Sequence, residues 1–308
     1  MKLKLLVTAL AWVVSATVHA TPSGDSSNES TVETRLPSTV LPFGAGKAAL
    51  RINKGVIRIN IGNGPVKYIN KVHTNKPING NNYNVSVNGK TNPKYLTPAI
   101  VPLGNLIPIP SLRDVKIGQT WYEKRGTNID VYSVRRMAKA GTLPEFGGLV
   151  IGQVKNLPDG SGVYFGEWAP RKGGTVPDND TNLNMADARR TVWYAGDNPT
   201  GRTQGLATAT YDVVGINKHT PGANDFYRGT VTAKFGTTTQ GTMGGQIARG
   251  ADRISFDKAK IDNTKGTFAD TAQGMKGQFY GKDAAAMAGI ATRKAGAADD
   301  VAFGGRKR

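Results

Sequence analysis

From Val150 onward the chain is a succession of short runs of β-branched, aromatic and small residues, each closed within a few positions by Gly, Asp or Asn. Gly162–Trp168, Thr191–Tyr194, Leu206–Val214, Gly229–Phe235, Gly241–Ile247 and Gly274–Tyr280 are such runs. An amphipathic helix needs apolar residues every three to four positions over a longer stretch than glycine leaves here. Antiparallel strands joined by tight turns tolerate this punctuation, so the segment predicts an all-β barrel or sandwich. The 39 glycines and the 7% aromatic and 20% charged content fit a turn-rich β protein and argue against a helical bundle. One stretch reads differently. Asp283 can cap a helix, and Ala284–Ala291 supplies strong helix formers, which predicts one short helix packed on the barrel.

The N-terminus reads as a cleavable export signal over residues 1–20. Lys2 and Lys4 precede the apolar stretch Leu5–Val14, and Val18-His19-Ala20 offers small residues at the cleavage site. Cleavage removes one of the 3 histidines, so histidine chemistry must come from His73 or His219. The chain has no cysteine, which excludes disulfides, thiolate metal sites, catalytic thiols and a lipid-anchored cysteine. The expected product is secreted to the extracellular space by way of the periplasm. Residues 21–35, rich in Ser, Thr, Asn and Glu, read as a disordered leader.

Positive charge is concentrated in the first half. Between Leu36 and Tyr122 the basic residues are Lys47, Arg51, Lys54, Arg58, Lys67, Lys71, Lys76, Lys90, Lys94, Arg113 and Lys116, opposed by the single acid Asp114. From Ile151 to Phe303 the count is 18 basic residues against 15 acidic, close to balance. The first half is therefore an anion-attracting module, 36–149, and the second, 150–308, an ordinary scaffold. Within the module Leu50, Ile52, Val56, Ile57, Ile59 and Ile61 are spaced by Arg, Asn and Lys, as in strands with one solvated basic face. Asn-Gly pairs at 79–80 and 88–89 flank a short strand, Tyr83–Val87. The prolines between Asn92 and Pro110 predict an extended apolar loop, either a cover for the core or a lip beside a ligand. Trp121–Met137 reads as further strands and Gly141–Leu149 as a junction. No nucleic-acid-binding motif is visible, and an exported protein has little occasion to meet nucleic acid.

Several runs in order go beyond composition: VYFGEWAP (163–170), TVWYAGDNPT (191–200), ATYDVVGIN (209–217), GTVTAKFG (229–236), GQFYGKDAAAMAGIA (277–291) and AFGGRKR (302–308). Together they resemble the eight-stranded barrel of the transferrin-binding-protein-B-like superfamily, and TVWYAGDNPT with a cysteine-free leader is most similar to the hemophilins. These are secreted haem-binding cargo proteins, exported through a surface lipoprotein assembly modulator in the outer membrane (the type eleven secretion route). The resemblance implies an N-terminal β-rich handle that carries the ligand and a C-terminal eight-stranded antiparallel β-barrel that addresses the secretion partner. It implies a hemophore that captures haem for bacterial uptake, with an outer-membrane haem receptor as a further partner and a monomeric state. The alternative is an exported cargo of the same route that binds a host or bacterial surface molecule or another anionic small ligand.

His73 is the histidine of the basic module, and a neutral imidazole can ligate haem iron, so it is the expected metal ligand. Lys71 and Lys76 could pair with the two propionates, and Tyr68, Tyr83 and Tyr95 could stack on the porphyrin or bond a propionate. His219 sits beside Pro221-Gly222 and reads as an exposed turn residue. Gly44-Ala45-Gly46-Lys47-Ala48-Ala49 matches a dinucleotide fingerprint only on paper, because strands and no helix surround it. With two mature histidines and no cysteine, neither a Ser-His-Asp centre nor a paired-histidine zinc site is specified, so no enzyme activity is expected.

Overall fold

The computed structural model describes residues 21–38, 46–55, 58–73, 94–100, 115–125, 128–137, 146–172, 183–293 and 296–308. The expected export signal, Tyr83–Val87 and most of the proline-rich stretch lie outside them.

The described chain is mostly β and forms a sheet domain against a closed barrel. The sheet has seven antiparallel strands: β1 (Ser23–Ser26), β5 (Lys94–Leu96), β6 (Gly118–Lys124), β7 (Ile129–Arg136), β8 (Gly148–Val154), β9 (Val163–Ala169) and β10 (Thr191–Gly196). Their order is β1-β10-β9-β8-β7-β6-β5, a meander closed at one edge by the N-terminal strand. A small sheet of β2 (Val32–Glu33), β3 (Ala49–Ile52) and β4 (Ile59–Asn60) lies on one face, followed by a wide helical turn at Gly62–Val66 and the helix α1 (Lys67–His73).

The barrel strands are β11 (Ala209–Ile216), β12 (Tyr227–Lys234), β13 (Gln240–Arg249), β15 (Lys260–Asp262), β16 (Thr267–Asp270), β17 (Met275–Tyr280), β18 (Ala286–Ala291) and β19 (Val301–Lys307). A hairpin partner, β14 (Asp252–Ser255), pairs with the far end of β13, and β12–β13 pairing closes the ring of eight.

The sheet is apolar on both faces because it is the middle layer. On β7 to β10 residues alternate between two cores: Val131, Val150, Phe165 and Val192 face the barrel. Their neighbours Tyr132, Ile151, Tyr164 and Trp193 face α1 and the small sheet. On β8 and β10 this burial on both faces reads as a nearly continuous apolar run, whereas β7 also buries Asp130, Ser133, Arg135 and Arg136. The two layers meet closely at Phe165, whose ring lies over Gly152 and Gly304: a Cβ built on either glycine would come within 2.4 Å and 2.3 Å of it.

Three expectations need correction. The Ala-rich helix is absent; Ala286–Ala291 is strand β18, preceded by one tight turn at Lys282–Ala284. Met287 and Ala291 point into the barrel core, while Ala288 and Ile290 face the sheet, so packing between two layers needs small residues at period two and overrides helix propensity. The leader is not disordered over 21–35, since Ser23–Ser26 pairs with β10 and the Tyr280 hydroxyl donates to the Ser23 carbonyl at 2.9 Å. Residue 150, read as the start of the barrel, lies inside β8, and the runs at 163–170 and 191–196 form β9 and β10 of the sheet; barrel pairing begins at Ala209.

Candidate functional site

Short as it is, α1 is amphipathic. Val66, Ile69 and His73 fall three or four positions apart on one face and are buried, while Lys67 and Lys71 stay in solvent. The short edge strand β5 runs beside it, with Leu96 turned into the core and Lys94 exposed. Between them opens a groove of about 500 Å³ lined by Lys71, Val72, Lys94, Tyr95 and Ile100. Lys116 sits over the Tyr95 ring, 4.2 Å from its centroid. Two lysines thus line a groove with apolar residues and a phenol, and a third lysine places its ammonium over the phenol ring, an arrangement suited to a ligand with a flat apolar body and an anionic rim. Its volume is in the usual range for small-molecule sites.

The expected site residues divide. Lys71 and Tyr95 line this groove. Lys76 and Tyr83 lie outside the described residues. Tyr68 is half-buried against the core under α1, and burial pushes its phenol up. His73 closes the last turn of α1 at 2% exposure, with Nε2 3.2 Å from the Thr120 carbonyl and 3.3 Å from the Thr120 hydroxyl. Burial pushes its imidazole down to about 4, the charge of Lys94 adding to the effect and the Thr120 bond opposing it. The ring is neutral at physiological pH, but its Nε2 addresses β6 and not a ligand in the groove. Of the expected site residues, Tyr95 is the one that brings a phenol to the groove.

A second constellation joins the layers. His219, in the loop after β11, is 1% exposed and carries a carboxylate on each ring nitrogen: Nε2 lies 2.7 Å from Glu123 on β6 and Nδ1 2.5 Å from Asp225. The two carboxylates push the imidazole up to about 9 against the cost of burial. Glu123 is held below the usual carboxylate range despite burial, by His219, Arg125 and the Gly222 amide. Glu167 on β9 accepts from the amides of Lys218 and His219 at 2.8 Å and 2.7 Å and from Arg190 Nε at 3.0 Å, and Arg190 donates onward to the Asp300 carbonyl at 3.2 Å. With both nitrogens engaged and no hydroxyl or thiol nucleophile among these bonds, the cluster is an ionic lock between sheet and barrel. The sequence places His219 in an exposed turn; the structure buries it, and the sequence signals for that are an acid, Glu123, directly after the aromatic pair Trp121-Tyr122 and Asp225 six positions downstream of the histidine.

Among the described residues no group of three His, Asp or Glu could hold a metal ion, and no helix is long and apolar enough to cross a membrane. No protein-family model matches the chain. Solved structures similar to it include a surface lipoprotein (14% identity, 62% of this chain and 97% of that one, TM-score 0.31). Others are HpuA from Kingella denitrificans in complex with human haemoglobin (14%, 63% and 88%, 0.30) and a transferrin-binding protein B variant from Actinobacillus pleuropneumoniae (13%, 62% and 98%, 0.30). At these scores the architecture rests on this chain's own strand pairings.

Proposed function

We propose that the chain is an exported carrier that captures haem in the groove between α1 and β5. The observation that carries the reading is the meeting of Lys71, Lys94 and Lys116 around Tyr95, Val72 and Ile100. Haem presents two carboxylates and a flat apolar ring, and the groove offers cations at its edge and an apolar floor between them. The resemblance of TVWYAGDNPT (191–200), with its cysteine-free leader, to the hemophilins is the second support, and the signal-like residues 1–20 support export. Tyr95 is the residue that would ligate the iron, with Lys71 and Lys94 pairing the propionates.

The test is a titration of protein lacking residues 1–20 with ferric haem. A saturable Soret shift is expected, altered in position by Tyr95→Phe and unaltered in position by His73→Leu. A folded protein that gives no Soret shift overturns haem capture and leaves the surface-molecule alternative. An unchanged spectrum in Tyr95→Phe overturns the iron assignment.

A further inference from the structure

A second cavity opens at the other end of β6, where the turn into β7 meets the outer face of the barrel. It measures about 370 Å³, and Arg125, Asn128, Ile129, Asp212, Arg228 and Thr230 are among its lining residues. Arg228 and Thr230 share one face of β12, and Asp212 and Val214 stand across from them on β11. Arg125 is 8% exposed and spends one nitrogen, Nη2, on Glu123 and on the Ala223 carbonyl. Its Nε is buried without a hydrogen-bond partner. A buried guanidinium N–H left unpaired is costly, and such groups in folded proteins ordinarily meet an acceptor.

The surroundings add to the demand. Arg125 and Arg228 both approach the Phe226 ring, at 4.7 Å and 5.9 Å from its centroid, so two like charges are held close together. Partial burial and the charge of Arg125 lower the Arg228 guanidinium below its ordinary value. Among the described residues Arg228 makes no ion pair, while the one acid lining the cavity, Asp212, is already paired with Arg308 at 2.7 Å. Asn128 accepts from Arg306 Nη1 through Oδ1 at 2.9 Å, which leaves its NH2 as a donor.

We propose that this cavity binds a phosphate-class oxyanion, held by the guanidinium groups of Arg125 and Arg228, which both line it, and by the Asn128 amide. Donors supplied by three separate segments, the end of β6, the residues before β7 and β12, match a tetrahedral oxyanion better than a planar carboxylate, which is satisfied by one guanidinium fork. The site is separate from the haem reading and stands whether or not haem binds.

The experiment uses the chain without residues 1–20 and follows the Gly229 amide and the Arg125 Nε–H resonances by NMR. Inorganic phosphate, acetate and chloride are titrated separately at constant ionic strength. Saturable shifts with phosphate alone are expected, with affinity reduced about tenfold or more in Arg228→Gln. Asn128→Asp, which puts a carboxylate where the donor stood, should abolish them. Arg228 is exposed and donates no hydrogen bond among the described residues, so Arg228→Gln should keep the wild-type spectrum elsewhere. Equal shifts with chloride, equal shifts with acetate, or unchanged phosphate affinity in Arg228→Gln would each overturn the proposal.

Discussion

Glu123 and His219 are 96 positions apart in the chain and meet at 2.7 Å, each with a side chain 1% exposed or less. One belongs to the sheet and the other to a loop of the barrel, so this bond ties the two layers together at a place water does not reach. Its chemistry sets a pH limit. The imidazolium is favoured in the fold, with its value raised from 6.5 to about 9. Its contribution is therefore complete below about pH 6.5 and is lost as pH rises through about 9. Urea unfolding at a series of pH values should show stability falling on that alkaline limb. His219→Gln should flatten the limb and, by removing the cation shared by Glu123 and Asp225 and leaving Glu123 to Arg125 alone, lower stability by about 3–5 kcal/mol at neutral pH. A wild-type midpoint unchanged between pH 7 and 10 contradicts this.

His73 works in the opposite sense. Its value is pushed down to about 4, so the fold holds the neutral ring and an unfolded chain takes up a proton near 6.5. The contribution is complete above about pH 6.5 and is lost as pH falls toward 4. The two histidines together make a stability curve that declines on both sides of a near-neutral maximum. In His73→Leu the acid-side difference from wild type should disappear while the alkaline limb stays. If the difference between variant and wild type does not change from pH 7 to pH 4.5, the buried neutral ring is refuted.

The strands were readable from the chain because turn residues mark their ends and alternation marks their faces: every run from Gly162–Trp168 to Gly274–Tyr280 overlaps a strand. Which strands belong together was not readable. β9 and β10 resemble barrel strands in composition, and only pairing with β8 and β1 assigns them to the sheet. Ala286–Ala291 misled for a related reason. Alanine reports helix propensity in isolation, whereas here it reports the narrow space between Phe303 inside the barrel and the sheet outside. Of the site, Lys71 and Tyr95 were found because charge and aromatic content are sequence properties. Lys94 and Lys116 entered only through the β5–β6 pairing and the fold of α1 against it, and the burial of His73 depends on the same contacts.

The close approach at Phe165 predicts an asymmetric response to added methyl groups. In Gly304→Ala the new Cβ would lie 2.3 Å from the Phe165 ring, in a layer where neither β9 nor β19 can retreat without opening both cores. A loss of about 1–3 kcal/mol is expected. Gly201→Ala meets nothing within 4 Å and should change stability by less than about 0.5 kcal/mol. Chemical denaturation of the pair checks this, and equal stability of the two variants would show that the layers are less tightly apposed.

The groove between α1 and β5 makes a kinetic prediction. Lys71 and Lys94 line it and Lys116 stands over its tyrosine, while the whole chain carries +18 at neutral pH, so an anionic ligand approaches down a favourable potential. Steering of this kind is screened over about 10 Å at 0.1 M salt. Haem association measured by stopped flow should therefore slow as salt rises, and Lys71→Glu with Lys94→Glu should slow it at low salt by about tenfold or more. Dissociation should change less if the porphyrin is retained chiefly by Val72, Ile100 and Tyr95, because the lysines act mainly on approach and at the solvated rim. Reversing a distant exposed cation, Lys265→Glu, separates local steering from net charge: it makes a smaller change in total charge than the double reversal but lies on the barrel next to Asp262. Per charge reversed, the groove variants should slow capture several times more than this control. Equal slowing per charge would mean that haem responds to the protein's overall field and does not enter between α1 and β5.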